Sequence, residues 1–222
     1  MPAGIFALVC LFLLLILWPL IFMDLMLLAL MKLGIAPFFG LFIILAIVGG
    51  SFINIPLKRY RFREDIDTNT LMLYGFHSRF FPLRLRQNEM VIAVNVGGCL
   101  VPLLLALHQL WRLLSAGGIW PAMAAMLINV AVCYRLSKVK PGVGILLPAF
   151  YPGILAGLSG LLLYPQNPAA VAFCSGILGP LIGADLFNLK KIVQLRAGTA
   201  SIGGAGTFDG IVISGFIALL LT

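Results

Sequence analysis

Three acidic side chains stand inside the long apolar runs of this 222-residue chain: Asp24, Asp185 and Asp209. Two of them have glycine-rich surroundings. Asp185 lies in Gly179-Pro180-Leu181-Ile182-Gly183-Ala184-Asp185-Leu186-Phe187-Asn188, and Asp209 in Ser201-Ile202-Gly203-Gly204-Ala205-Gly206-Thr207-Phe208-Asp209-Gly210. A charged carboxylate near the centre of a membrane helix costs about 2.5–3.5 kcal/mol on insertion scales, so an acid held there reads first as a functional group. Two carboxyls brought together in low dielectric cannot both ionise cheaply, and one keeps its proton. That asymmetry is what aspartyl peptide hydrolysis needs. The ionised acid takes a proton from water, the water attacks the scissile carbonyl, and the protonated acid donates to the carbonyl oxygen. No metal and no cofactor is required. The same pair also fits a proton- or cation-coupled transport path. The glycine turn at 203–206, near Arg196, fits an anion or lipid phosphate. A purely structural alternative pairs Asp185 with Lys190, Lys191 or Arg196 and lets Asp209 cap the last helix.

The elements that would position these acids follow from composition. The hydrophobic share is 62%, the charged share 10%, and the mean hydropathy +1.12. A soluble domain carries roughly 25% charge. A compact all-α polytopic membrane protein is therefore expected, forming one integral membrane domain over 1–222; disorder, coiled coil and disulfide scaffold are excluded. No basic leader segment or small-residue cleavage site is read at the N-terminus. The apolar runs predict seven transmembrane helices, about 3–31, 35–56, 91–111, 118–135, 142–164, 168–188 and 205–222. Asp24 falls toward the end of the first and reads as interfacial.

Orientation follows from the 15 basic residues. Lys58, Arg59, Arg61, Arg63, Arg79, Arg84 and Arg86 lie between the second and third spans. Arg135, Lys138 and Lys140 follow the fourth, and Lys190, Lys191 and Arg196 the sixth. Only Lys32 and Arg112 fall in the alternate loops, so 13 cations stand on one side and 2 on the other. The positive-inside rule places the larger set in the cytoplasm, with the N-terminus inside and the C-terminus outside an inner membrane. The net charge of +8 is thereby explained without nucleic acid, and the bilayer is the expected partner. The cytoplasmic stretch 57–89 holds two short alternations, Lys58–Arg63 and Phe81–Arg86, which predict a small β-hairpin on an anionic membrane surface.

Antiparallel neighbouring helices joined by a short loop share a depth at that loop. Asp185 near the end of the sixth span and Asp209 near the start of the seventh are thus expected to meet near the cytoplasmic face. Glycine concentrates in the same half: residues 1–140 hold 10 and the last 82 hold 14. Gly153/Gly157, Gly179/Gly183 and Gly206/Gly210 have the spacing that lets helix backbones approach closely. Pro148, Pro152 and Pro180 interrupt these helices. The region 142–222 is accordingly the expected active half.

Other chemistries find less support. Gly157-Leu158-Ser159-Gly160 has the pattern of a rhomboid nucleophile, but His77 and His108 both precede it, whereas that mechanism uses a histidine on a later helix. No HExxH is present, which removes a zinc protease. Cys10, Cys99, Cys133 and Cys174 sit in apolar runs without metal-ligand spacing and read as packing residues. Asn95, Asn129 and Gly97-Gly98 either line a polar seam or join helices by hydrogen bonds.

The stretch Ser201–Ile211, with Ala184-Asp185-Leu186 upstream, resembles an uncharacterised family of prokaryotic integral membrane proteins. More distantly, Gly206-Thr207-Phe208-Asp209 followed by Ile211–Leu219 resembles the second catalytic helix of the GxGD intramembrane aspartyl proteases, presenilin and signal peptide peptidase. Phe208 stands where that family has its second glycine, and Ala184 where it has a tyrosine. This likeness implies Asp185 and Asp209 as catalytic residues acting on a transmembrane peptide. It implies substrate contacts from Gly203, Gly204 and Gly206. The nearest match to the family's Pro-Ala-Leu motif is Pro148-Ala149-Phe150, which comes before rather than after the two catalytic helices.

Overall fold

The computed structural model describes residues 2–62, 88–140, 144–194, 198–204 and 210–222. The chain opens with α1 (Pro2–Lys32), turns at Gly34, and continues as α2 (Pro37–Gly50). Pro37 sits in the first turn of α2, where a backbone N–H would have no intrahelical partner. Gly49-Gly50 close that helix six residues short of the predicted span. Strand β1 (Asn54–Phe62) follows, with Pro56 barring helical continuation.

β1 pairs antiparallel with β2 (Asn88–Asn95), from Asn54 opposite Asn95 to Phe62 opposite Asn88, with a register shift between Pro56 and Lys58. The predicted hairpin thus has its first strand where expected, and the partner of that strand among the described residues is β2; Phe81–Arg86 lies outside the described residues. The third span, predicted from residue 91, begins as this strand. Met90-Val91-Ile92-Ala93-Val94 is an apolar β-branched run, and hydropathy does not separate such a run from a helix. A third strand, β5 (Thr199–Ile202), lies parallel to β2, with Val91 opposite Thr199 and Val94 opposite Ile202.

After β2 the chain makes a wide π-helical turn, π1 (Val96–Leu100), and continues as α3 (Val101–Ser115). Helix α4 (Ile119–Leu136) matches its predicted span within a residue. The fifth span is shorter than predicted. Strands β3 (Lys138–Lys140) and β4 (Gly144–Leu146) form a two-stranded pair, and α5 covers only Phe150–Leu163. Helix α6 (Pro168–Pro180) runs through a second wide turn, π2 (Leu181–Leu186), into α7 (Phe187–Gln194), so this stretch ends beyond residue 188. Helix α8 (Gly210–Leu221) closes the chain. Among the described residues there are seven continuous helical stretches. Val96–Ser115, Ile119–Leu136 and Pro168–Gln194 are long and apolar enough to cross a membrane. Pro37–Gly50, Phe150–Leu163 and Gly210–Leu221 are shorter than the roughly 20 residues a full crossing takes.

Helix α6 is the centre of the bundle. Every residue from Ala169 to Pro180 is buried, and α3, α4, α5 and α8 pack around it. Small side chains permit this. A Cβ on Gly176 would stand 3.1 Å from the Gly215 Cα of α8, and one on Gly179 would stand 2.7 Å from the Asn129 side chain of α4. Asn129, fully buried, donates from Nδ2 to Ser175 O (2.9 Å) and Pro152 O (3.1 Å). Ser175 Oγ donates to Ala125 O at 3.0 Å. Without a hydrophobic drive between helices in lipid, this close packing and these interhelical bonds hold the bundle.

The connections sort into two groups. At one end Arg112 Nη1 and Gln109 Nε2 donate to Leu33 O, Tyr164 Oη donates to Ala116 O, and Lys32 Nζ donates to Leu219 O at the end of α8. At the other end Ser201 Oγ donates to Asn54 Oδ1, Asn188 Nδ2 to Ser137 Oγ, and Gly203 N to Asp185. Alternate connections of the chain therefore share an end.

Candidate functional site

Asp185 owes its position to Pro180. Proline supplies no N–H to the carbonyl one turn back and its ring crowds that carbonyl, so the regular helix cannot continue unchanged. It widens into π2, a distortion frequent at functional sites. Gly183 brings this turn against α4: a Cβ there would meet the Val130 carbonyl and come within 3.0 Å of Cys133 Cβ. Asn188, 1% exposed, donates from Nδ2 to Ala184 O and to Ser137 Oγ, both at 2.8 Å. Lys191 Nζ in turn donates to Asn188 Oδ1 at 2.9 Å. The turn carrying Asp185 is thus tied to the end of α4 through a buried amide.

Asp185 is half-buried, and its Oδ2 accepts the Gly203 N–H at 3.0 Å. Gly203 and Gly204 both have left-handed backbone, with φ of 80° and 79°. That conformation favours glycine, and at Gly203 space demands it as well. A Cβ there would lie 2.5 Å from Cys99 Cβ and 2.8 Å from Cys99 N in π1, while a Cβ on Gly98 would run into the Gly203 carbonyl. Gly203 is therefore clasped between the two π-turns, backbone against backbone on one side and hydrogen-bonded to a carboxylate on the other.

The first π-turn is held by uncharged groups. Asn95, fully buried, accepts the Gly98 N–H at 2.6 Å and donates to Ser51 O at 2.7 Å and Asn54 Oδ1 at 3.1 Å. Ser201 Oγ donates to the same Asn54 oxygen at 2.6 Å. The parallel pairing of β5 on β2 sets this register, so the sheet delivers Gly203 to Asp185. Asn95 joins elements by hydrogen bonds, as does Asn129. Nothing in the sequence singles out Asn54 or Ser137; for Asn188 the signal is a lone amide three residues after Asp185.

A small crevice beside Asp185, about 10 Å³, is lined by Ile145, Leu189, Ile192 and Ala200–Ile202. That is near the lower limit for holding one water. Ala149 lies at the start of α5 and faces the start of α8: a Cβ on Gly210 would sit 3.7 Å from Ala149 Cβ, an ordinary van der Waals distance. Pro148 and Phe150 flank it and are exposed. The structure thus joins Asp185 to Gly203 and brings Ala149 to Gly210, with Gly204 following Gly203 in the turn. Gly206 and Asp209 lie outside the described residues, as do His77 and Arg196. Asp24 and His108 are exposed, and Ser159 is buried in α5. Cys133 Sγ donates to Asn129 Oδ1, and Cys174 Sγ to Ala106 O. Among the described residues no three His, Cys, Asp or Glu side chains gather as a metal site.

These elements define a predominantly helical protein with three helices long and apolar enough to cross a membrane, and a carboxylate set against a glycine turn at one end of the bundle. A family model described as protein of unknown function (DUF1614) matches residues 47–221, and the chain belongs to that family. The matched region holds both π-turns, the three-stranded sheet, Asp185, Gly203 and Asp209, and leaves out α1. No curated protein and no solved structure matches the chain.

Proposed function

We propose that this protein is an intramembrane aspartyl protease-like enzyme using Asp185 and Asp209 as its dyad. It spans the inner membrane seven times, with its N-terminus in the cytoplasm and its C-terminus outside. The segregation of alternate connections to opposite ends of the bundle supports that topology. The 13 cations of the second, fourth and sixth connections then face the cytoplasm.

The observation that carries the reading is the hydrogen bond from Gly203 N to Asp185 Oδ2. It ties one carboxylate to the glycine turn that leads, six residues on, to the other. The nearness of Ala149 to the Gly210 position adds a third element beside the same helix start. In this site one carboxylate takes a proton from water as the oxygen attacks the peptide carbonyl. The other donates to the carbonyl oxygen. The tetrahedral intermediate collapses with cleavage of the C–N bond, and a carboxyl proton passes to the departing amine. Gly203, Gly204, Gly206 and Pro148-Ala149-Phe150 bind the substrate backbone. The substrate is a transmembrane peptide presented from the bilayer; no cofactor and no nucleic acid takes part.

Asp185→Asn and Asp209→Asn, each assayed on a panel of membrane-embedded peptides, should lower cleavage by about 10²–10⁴-fold. The double mutant should lose little more, because the pair acts as one unit. The crevice beside Asp185, with room for about one water, favours a second reading: a proton- or cation-coupled transporter using the same carboxylates. Flux in liposomes lost on the same substitutions, with no cleavage by wild type, would decide for it. For topology, Ser115→Cys in a cysteine-free background should react with impermeant thiol reagents in intact cells, and Lys140→Cys only after permeabilisation.

A further inference from the structure

The helix that carries Asp185 presents a different surface away from the carboxylate. An open groove of about 330 Å³ is lined by Tyr134 of α4 and by Leu186, Phe187 and Lys190 of the π2–α7 stretch. Phe187 stands edge-on to Tyr134, with ring centroids 5.8 Å apart. Lys191 is committed to the protein, its Nζ 5.2 Å from the Tyr134 ring centroid and bonded to Asn188. Lys190 has no hydrogen-bond or ion-pair partner among the described residues.

Two properties of the groove identify its occupant. The first is charge. Residues 90–184 contain no Asp or Glu, while Arg135, Lys138 and Lys140 stand at the same end of the bundle as Lys190 and Lys191. Asp185 is the one acidic side chain among the described residues after Glu89, and its Oδ2 is bonded to Gly203. The second is polarity. Leu186 and Phe187 are 42% and 57% exposed beside the Lys190 ammonium. They lie on a helical stretch long enough to cross a membrane. Free phosphate would satisfy the ammonium and leave the apolar lining uncovered; a neutral lipid would do the reverse.

We propose that this groove binds an anionic phospholipid, its phosphate on Lys190 and its glycerol and first acyl carbons against Leu186, Phe187 and Tyr134. Basic pockets between membrane helices on the cytoplasmic side recognise such headgroups. The proposal rests on α4 and the α6–α7 stretch crossing a bilayer and not on peptide hydrolysis.

The test is native mass spectrometry of the full chain released from micelles containing phosphatidylglycerol or phosphatidylcholine. Wild type should retain phosphatidylglycerol in preference. Lys190→Gln should reduce that retention about fivefold and Lys190→Glu further, as expected for one cation near a phosphate. Phe187→Ala should also weaken it, and inorganic phosphate should not displace the lipid. Equal retention by wild type and Lys190→Glu would overturn the proposal, as would equal retention of the two lipids. Full displacement by inorganic phosphate would reassign the groove to a free anion. Retention is read without substrate, so its failure is distinct from a failure to cleave peptides.

Discussion

The two π-turns are the same distortion put to different ends. Each adjoins a proline, Pro102 after the first and Pro180 before the second, and each contains glycine at a close backbone approach. Both reach Gly203, the first by packing on its backbone and the second through the Asp185 carboxylate. In π1 the lateral bonds come from Asn95, a neutral amide whose donor and acceptor are both satisfied within the protein. In π2 the bond to Gly203 comes from a carboxylate beside a water-sized crevice. A neutral amide closes its turn as structure. The carboxylate in the second turn instead reaches out of its own turn to the backbone of another segment. On the proposed function, the second turn carries the reacting group and the first supports it.

Gly203→Ala strikes both turns at once and should have the largest effect. The added Cβ meets Cys99 in backbone that also disfavours alanine. A loss of about 3 kcal/mol or more is expected, read as failure to recover folded protein or a collapsed thermal midpoint in detergent. Recovery of a stable Gly203→Ala protein would mean the turns are not clasped on this residue.

Asn95→Ala removes a cap and leaves the Ser51 carbonyl and Gly98 N–H without their partner, at a cost of about 2 kcal/mol in thermal or denaturant unfolding. The protein that remains folded should still cleave. Asn188→Ala should cost less stability, about 1–2 kcal/mol for the lost bonds to Ala184 O and Ser137. It should lower cleavage beyond the loss of folded protein, because it releases the turn that carries Asp185. If the two variants lose activity only in proportion to folded protein, the functional asymmetry between the turns fails.

Much of this was open to reading in the sequence, and the remainder divides by cause. Helices α1 and α4 follow from hydropathy alone. Chain direction leads to the expectation that Asp185 meets Asp209, since neighbouring helices joined by a short connection share a depth there; Asp209 lies outside the described residues, and the described partner of Asp185 is Gly203. Strand β2 was hidden because Val91-Ile92-Ala93-Val94 is equally apolar as strand or helix, and its strand state depends on β1 and β5 pairing with it. The π-turns were hidden for a related reason. Pro180 and Gly97-Gly98 announce interruptions, but whether a helix kinks, stops or widens is decided by what packs against it. Asn188 sits in a short polar patch, and its role appears only when Ser137 arrives from another helix.

The smallest effect belongs to the opposite end of the bundle. Lys32 Nζ donates to Leu219 O and Leu220 O, a cation at the negative end of α8. Lys32→Met should cost about 0.3–1 kcal/mol and leave cleavage per folded molecule unchanged. A marked loss of activity would extend the functional region along α8 to its far end.

The central claim is that Asp185 and Asp209 form one site. The direct measurement is the separation of their carboxyl groups in an experimental structure of the protein in lipid. The account predicts oxygens within about 7 Å, in direct contact or bridged by one water. Carboxyls on opposite helix faces, or Asp209 turned to lipid while Asp185 remains on Gly203, would contradict it.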